Sequence, residues 1–190
     1  MNEIVSGVIL LAALLPAASA QYPGWQHAGS IHLLTTPEGA NLPASASEDG
    51  FPLLVWLHKD FFDFSQAKGN GEDVRFTTRS GAPLPYQIEE WDAAQGAASI
   101  WVRIPMIEGN ARQEIRLHWG KPDAASESNG KAVFNESNGY LSVWHMGEAM
   151  QDEVGTLESK DVGTTATPGM VGKARHLAGR QGVFCGDKIP

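Results

Sequence analysis

Residues 98–105 read ASIWVRIP, with Ile100, Val102 and Ile104 alternating with Ser99, Trp101 and Arg103. A period of two is the signature of a strand buried on one face. The apolar set must meet a core. The other set carries a tryptophan beside an arginine, so that face is either covered by more protein or available to a partner.

The same alternation recurs on both sides of this stretch. SIHLLTT (30–36) is the first strand candidate, and FPLLVWLH (51–58) is almost wholly apolar, as a strand covered on both faces would be. DVRFT (73–77) directs Val74 and Phe76 inward, and LPYQIEEW (84–91) directs Leu84, Tyr86 and Ile88 inward. QEIRLHW (113–119) adds Ile115, Leu117 and Trp119. Turn-forming segments separate them: PEGANLPASASEDG, AKGNGED, RSGAP, DAAQG and IEGN. Short strands at this spacing, without a long helical pattern, predict an all-β antiparallel sandwich. DFFDFSQA (60–67), with Asp60 ahead of aromatics, fits a short helical turn at one edge.

With 42% hydrophobic residues the 190-residue chain can build a core, and its length allows one domain and part of another. A net charge of −8 with 14 basic residues argues against a nucleic-acid partner, since phosphate binding needs a basic surface. The single cysteine, Cys185, excludes an internal disulfide framework. It could sit buried, form a dimer or pair with another segment.

The first twenty residues read as a secretory signal. Ile4–Leu15 is a short apolar run, and Ala18-Ser19-Ala20 offers a cleavage site before Gln21. The segment before the run carries Glu3 and no Lys or Arg, which departs from the usual pattern. An uncleaved anchor is the alternative, although the run is short for a membrane span. No later stretch is apolar enough to cross a bilayer. Residues 21–50 then form a lead-in with one edge strand, 51–125 the main sandwich and 126–139 a linker. Residues 140–190 open a second β-sandwich that these residues do not complete. Within it, YLSVWHMGE (140–148) and GKARHLAG (172–179) are strand candidates.

Several stretches together resemble a known bacterial family. FPLLVWL, FDFSQAKGNGEDVRFT, LPYQIEEWD, ASIWVRIP and RLHWGKPDA resemble the domain of unknown function numbered 2341, over about residues 50–125. GYLSVWHMGE onward resembles the opening of a concanavalin A-like, laminin-G-type lectin domain. The resemblance implies an exported bacterial protein built from sandwich modules. Some relatives carry a MotA/TolQ/ExbB proton-channel segment associated with biopolymer transport. It implies no catalytic residues.

Strand alternation assigns Arg75, Glu89, Trp91, Trp101, Arg103, Arg116 and His118 to the outward face as candidate ligand-binding residues. Two indoles among charges suit a sugar, whose C–H faces pack on rings while its hydroxyls bond polar groups. The competing reading is that another layer covers them. Paired acids are a weaker lead. Glu89 and Glu90 point to opposite faces of a strand. Glu90 and Asp92 share one, but no third acid follows, and a retaining glycosidase needs two carboxyls about 5 Å apart. KGNGED (68–73), with Asp60 and Asp63 nearby, concentrates oxygen ligands without EF-hand spacing, and the alternative is a turn in which Asp73 bonds backbone amides. The six histidines (27, 32, 58, 118, 145 and 176) lack zinc spacing, and no glycine-rich loop leads into a helix. NES (135–137) matches a glycosylation acceptor. The expectation is therefore an exported, non-enzymatic envelope module without cofactor or metal. It recognises a glycan or an envelope protein and has no membrane span beyond its leader. The alternatives are a periplasmic accessory region of a biopolymer transporter and part of a concanavalin-like glycosidase.

Overall fold

The computed structural model describes residues 22–155, 157–169 and 172–185. The expected signal, residues 1–20, lies outside them. Seven strands build the principal body: β1 (His27–Leu34), β2 (Ser47–His58), β3 (Arg75–Thr78), β4 (Pro83–Leu84), β5 (Tyr86–Asp92), β6 (Ala97–Glu108) and β7 (Arg112–Trp119). They form two antiparallel sheets, one ordered β1-β7-β3-β4 and the other β2-β6-β5. The protein is an all-β sandwich, as the alternation predicts. The chain passes between the sheets at Pro85, where β4 ends and β5 begins.

Every second side chain fills the space between the sheets. Val74, Phe76, Ile115 and Leu117 from one side meet Tyr86, Ile100, Val102 and Ile104 from the other in a single cluster, with Ile88 packed against it. Burying each such aliphatic or aromatic side chain contributes roughly 1.5–3 kcal/mol. The short turn in DFFDFSQA is a 3-10 helix at Phe64–Gln66, capped by the Asp63 carboxylate, which accepts from the Ser65 N–H at 3.0 Å. Phe62 and Phe64 fold from this turn into the core.

Three features differ from the sequence expectation. FPLLVWLH is not covered on both faces. β2 is an edge strand whose Val55 and Leu57 are buried while Leu54 and Trp56 are exposed. The lead-in does supply an edge strand, β1, which pairs with β7 along its whole length. The linker is a docked strap. It contains α1 (Gly130–Val133) and a 3-10 turn at Glu136–Asn138, and it buries Val133 and Phe134. YLSVWHMGE is irregular, with Met146 at φ 60°, a left-handed conformation that no strand tolerates. Asn135 of the NES triplet caps the 3-10 turn, accepting from the Ser137 N–H at 3.1 Å.

Beyond the strap, β8 (Lys160–Val162) pairs with β11 (Gly182–Phe184), and β9 (Thr165–Pro168) pairs with β10 (Lys173–His176). The candidate strand in GKARHLAG is thus present as β10. Arg175 ties the two ladders together through Asp161 and Thr164. Cys185 is a half-buried free thiol. Among the described residues, no helix is long and apolar enough to cross a membrane.

Candidate functional site

The seven outward candidates do not share a surface, because a sandwich has two outer faces. Arg75, Arg116 and His118 belong to the β1-β7-β3-β4 sheet, while Glu89, Trp91, Trp101 and Arg103 belong to the β2-β6-β5 sheet. Simple alternation also fails within β5. Ile88 lies opposite Ile100, but Glu90 lies opposite Ser99, so Glu89 is the extra residue of a β-bulge. The bulge reverses the parity behind it. Trp91 therefore turns inward and packs edge-on against Phe62 and Phe64, with centroids 6.0 and 5.1 Å apart. Gly71 makes room for it, since a Cβ there would lie 2.5 Å from the indole. Trp91 is part of the core rather than of a platform.

On the β2-β6-β5 sheet, the remaining outward groups lie beneath the strap and the segment after it. The Trp101 indole N–H donates to the Glu89 carboxylate at 2.6 Å. His145 stacks on Trp101 at 5.9 Å, stands 3.5 Å from Glu89 and contacts Gln87 at 3.0 Å. Phe134 meets the edges of both rings. Arg103 donates to Ser137 at 3.1 Å. Glu90 is crowded from above: a methyl at Gly172 would stand 2.3 Å from its carboxylate. Asp92 holds the turn after β5, accepting from the Gln95 N–H at 2.9 Å.

The opposite face is equally occupied. Arg75 is buried and donates to the carbonyls of Glu72, Val74 and Ala125 and to the Tyr86 hydroxyl, and it pairs with Glu127 at 3.0 Å. Burial pushes the Tyr86 phenol above its ordinary pKa, with the Arg75 charge opposing that rise. Trp25 lies between Arg75 and Lys121, 5.4 Å from each, and donates to the Asp73 carbonyl at 2.6 Å. His118 contacts Thr77 at 3.2 Å beneath the Tyr22 ring. Burial, reinforced by Arg116, holds the imidazole below its ordinary pKa. Arg116 itself is exposed and pairs with Glu114 at 3.4 Å.

The KGNGED turn closes on Asp73. Its buried carboxylate accepts from the N–H groups of Lys68 at 2.9 Å, Gly120 at 2.7 Å and Lys121 at 3.0 Å. One side chain therefore ties the turn before β3 to the exit of β7. Among the described residues, no group of three or more His, Cys, Asp and Glu side chains could hold a metal ion.

An apolar cleft lies where sequence reading placed no site. At the β1/β2 side the sheets do not meet, and a cleft of about 880 Å³ runs between them. Ile31, Leu33, Leu53, Val55 and Phe62 form its floor. At its rim, Trp56 is 50% and Phe61 66% exposed, with Phe51 and Leu54 beside them. Trp56 stacks on His58 at 5.0 Å, and His58 pairs with Asp60 at 3.0 Å. The signal in the sequence was the apolar run 51–57 itself, which also fits an edge strand that exposes a greasy face.

A search of curated proteins and a search of solved structures each returned no match. The comparison that did succeed falls on the part of the molecule where the KGNGED turn, the bulge and the strap are found: residues 70–142 match the family model of the Domain of unknown function (DUF2341).

Proposed function

We propose that the chain is an exported, non-enzymatic recognition module of the bacterial cell envelope, and that it binds an extended polypeptide along the β1/β2 edge. The observation that carries this reading is the cleft. It joins the part of the β2 edge beyond Pro52, which no strand pairs among the described residues, to the exposed apolar side chains of Phe51 on one side of the strand and Leu54, Trp56 and Phe61 on the other. Peptides that add a strand to a sheet use these two features, backbone bonds for affinity and alternate side chains for specificity.

The ledge of Trp56, His58 and Phe61 beside Asp60 supports a second reading, in which a sugar ring stacks on the indole. The transporter-accessory and glycosidase alternatives draw no specific support from the geometry. Backbone amide shifts separate the two readings. Titrating the isotope-labelled chain with an extended peptide of alternating apolar residues should move the amides of Leu54 and Trp56. Shifts confined to the Trp56 and Phe61 rings on adding soluble glycan fragments, with none from peptide, would replace the first reading by the second.

A further inference from the structure

We infer that His145 is a pH-sensitive latch. By holding a proton between itself and Glu89, it fastens the segment after the strap over Trp101.

Four groups converge on the imidazole. From β5 come the Glu89 carboxylate, with Oε2 3.5 Å from Nδ1, and the Gln87 amide, with Oε1 3.0 Å from Nε2. From β6 comes the Trp101 ring, stacked at 5.9 Å, and from the strap Phe134, tilted against it at 5.6 Å. His145 is thus enclosed, with 13% of its side chain exposed.

Both polar neighbours need a proton from the ring. Glu89 Oε2 already accepts from the Trp101 indole N–H, a group that can only donate. A bare Nδ1 lone pair would repel that oxygen, so a hydrogen lies between the two. The Gln87 amide can in principle turn over and offer its own N–H to Nε2. Glu153 opposes that turn. Its Oε2 and the Gln87 Nε2 crowd the same point, where a Cβ of Gly130 would stand. The amide therefore keeps its NH2 group toward the Glu153 carboxylate and its oxygen toward His145, and Nε2 donates as well. A neutral imidazole has one N–H and an imidazolium has two. The arrangement holds one proton more than a neutral histidine and a carboxylate supply.

The other charged groups nearby are engaged elsewhere. Arg103 donates to Ser137, and Lys131 lies against Gly155. Glu90 is turned toward Gly172, and Glu148 pairs with Lys173. Asp152 accepts from the Val143 and Val154 amides.

Loss of the shared proton leaves two oxygens facing one N–H. One contact from this segment to β5 is then broken, and a nitrogen lone pair is set against an oxygen. The attachment is complete at the acid end of the range in which imidazoles discharge, about pH 5 to 8, and weakened at the alkaline end. The face uncovered there carries Glu89, Trp101 and Arg103, three of the residues that strand alternation assigns to ligand binding.

Acrylamide quenching of the full chain tests the inference. The Trp101 share is the difference between a protein and its Trp101→Phe counterpart, in which the other histidines titrate equally. The bimolecular quenching constant of Trp101 should rise severalfold between about pH 6 and about pH 8. Glu89→Gln should stay covered at both values, because its amide donates to Nδ1 and a neutral imidazole then satisfies both partners. His145→Ala should be uncovered at both. Far-ultraviolet circular dichroism confirms that each variant folds. A quenching constant in the unaltered chain that does not change with pH would overturn the inference. So would a change that survives in Glu89→Gln or in His145→Ala.

Discussion

The two edges of the β2-β6-β5 sheet are made from similar residues and end differently. At β5 the chain returns over the edge. The Asn129 N–H donates to the Tyr86 carbonyl at 2.8 Å, and the Ile88 N–H donates to the Ser128 hydroxyl at 2.8 Å. Val133 and Phe134 then seal the adjoining face. At β2 the return reaches only the first half, where the Asn138 side-chain amide donates to the Gly50 carbonyl at 2.8 Å, and beyond Pro52 the side chains of Leu54 and Trp56 face outward uncovered. Alternation within a strand decides which side chains point away from the core. Whether those side chains are wet is decided by segments far along the chain. Trp101 and Trp56 are both outward tryptophans of one sheet, yet the first is half-buried under His145 and Phe134 and the second is half exposed.

The contrast breaks most readily on the closed side. Asp73→Ala removes the acceptor of three amide N–H groups in a buried turn. Hydrogen bonds to a charged group are the stronger kind, and their buried donors would be left without partners. The expected loss is about 4 kcal/mol in urea unfolding. Phe134→Ala should cost about 3 kcal/mol, as truncation of a buried aromatic does. It should also red-shift the tryptophan emission, because Trp101 loses its cover. Trp101→Phe is smaller. It keeps the ring but removes the donor to the partly exposed Glu89, at a cost of about 1 kcal/mol. If Phe134→Ala proved silent, the strap would not be the seal of this face.

Much of the fold was legible because it follows from a period of two. Val74, Phe76, Ile100, Val102, Ile115 and Leu117 read as inward from sequence and occupy one cluster. What was not legible depends on events that leave no periodic trace. The bulge at Glu89 shows only as two adjacent glutamates, and a one-residue insertion moves Trp91 from the outer face to the core. The strap looked like a linker because small polar residues surround Val133 and Phe134, and two apolar residues make no pattern. The candidate ligand residues were drawn together because alternation cannot say which of two sheets a strand joins. That assignment depends on partners distant in sequence, such as β3 with β7 and β5 with β6.

His118 offers a finer probe of the covered side. Its imidazole is held below the ordinary value by burial first and Arg116 second, so the unfolded chain takes up a proton there at a higher pH than the folded one. Its contribution is fully present above the unfolded pKa of about 6.5 and declines as pH falls from there toward the lowered folded value. His118→Gln should flatten that part of the stability profile, and the His118 ring protons should titrate below about 6.5 in NMR spectra. Removing the Tyr22 ring should raise the midpoint toward the ordinary value, with Arg116 still holding it below.

The smallest effect on stability is expected at the open edge, and its smallness is informative. Trp56→Ser removes the largest exposed ring of β2, yet unfolding should change by no more than about 0.5 kcal/mol, the usual range for surface positions. An indole that adds little to the stability of the monomer leaves binding as the role its exposed ring can serve. The prediction therefore has two readouts in one variant, unchanged unfolding of the monomer and weakened binding at the cleft. A loss of about 2 kcal/mol or more, comparable to a core truncation, would mean that Trp56 closes the sandwich from outside. The β1/β2 cleft would then be a packed edge like that of β5, and the difference between the two sides would disappear.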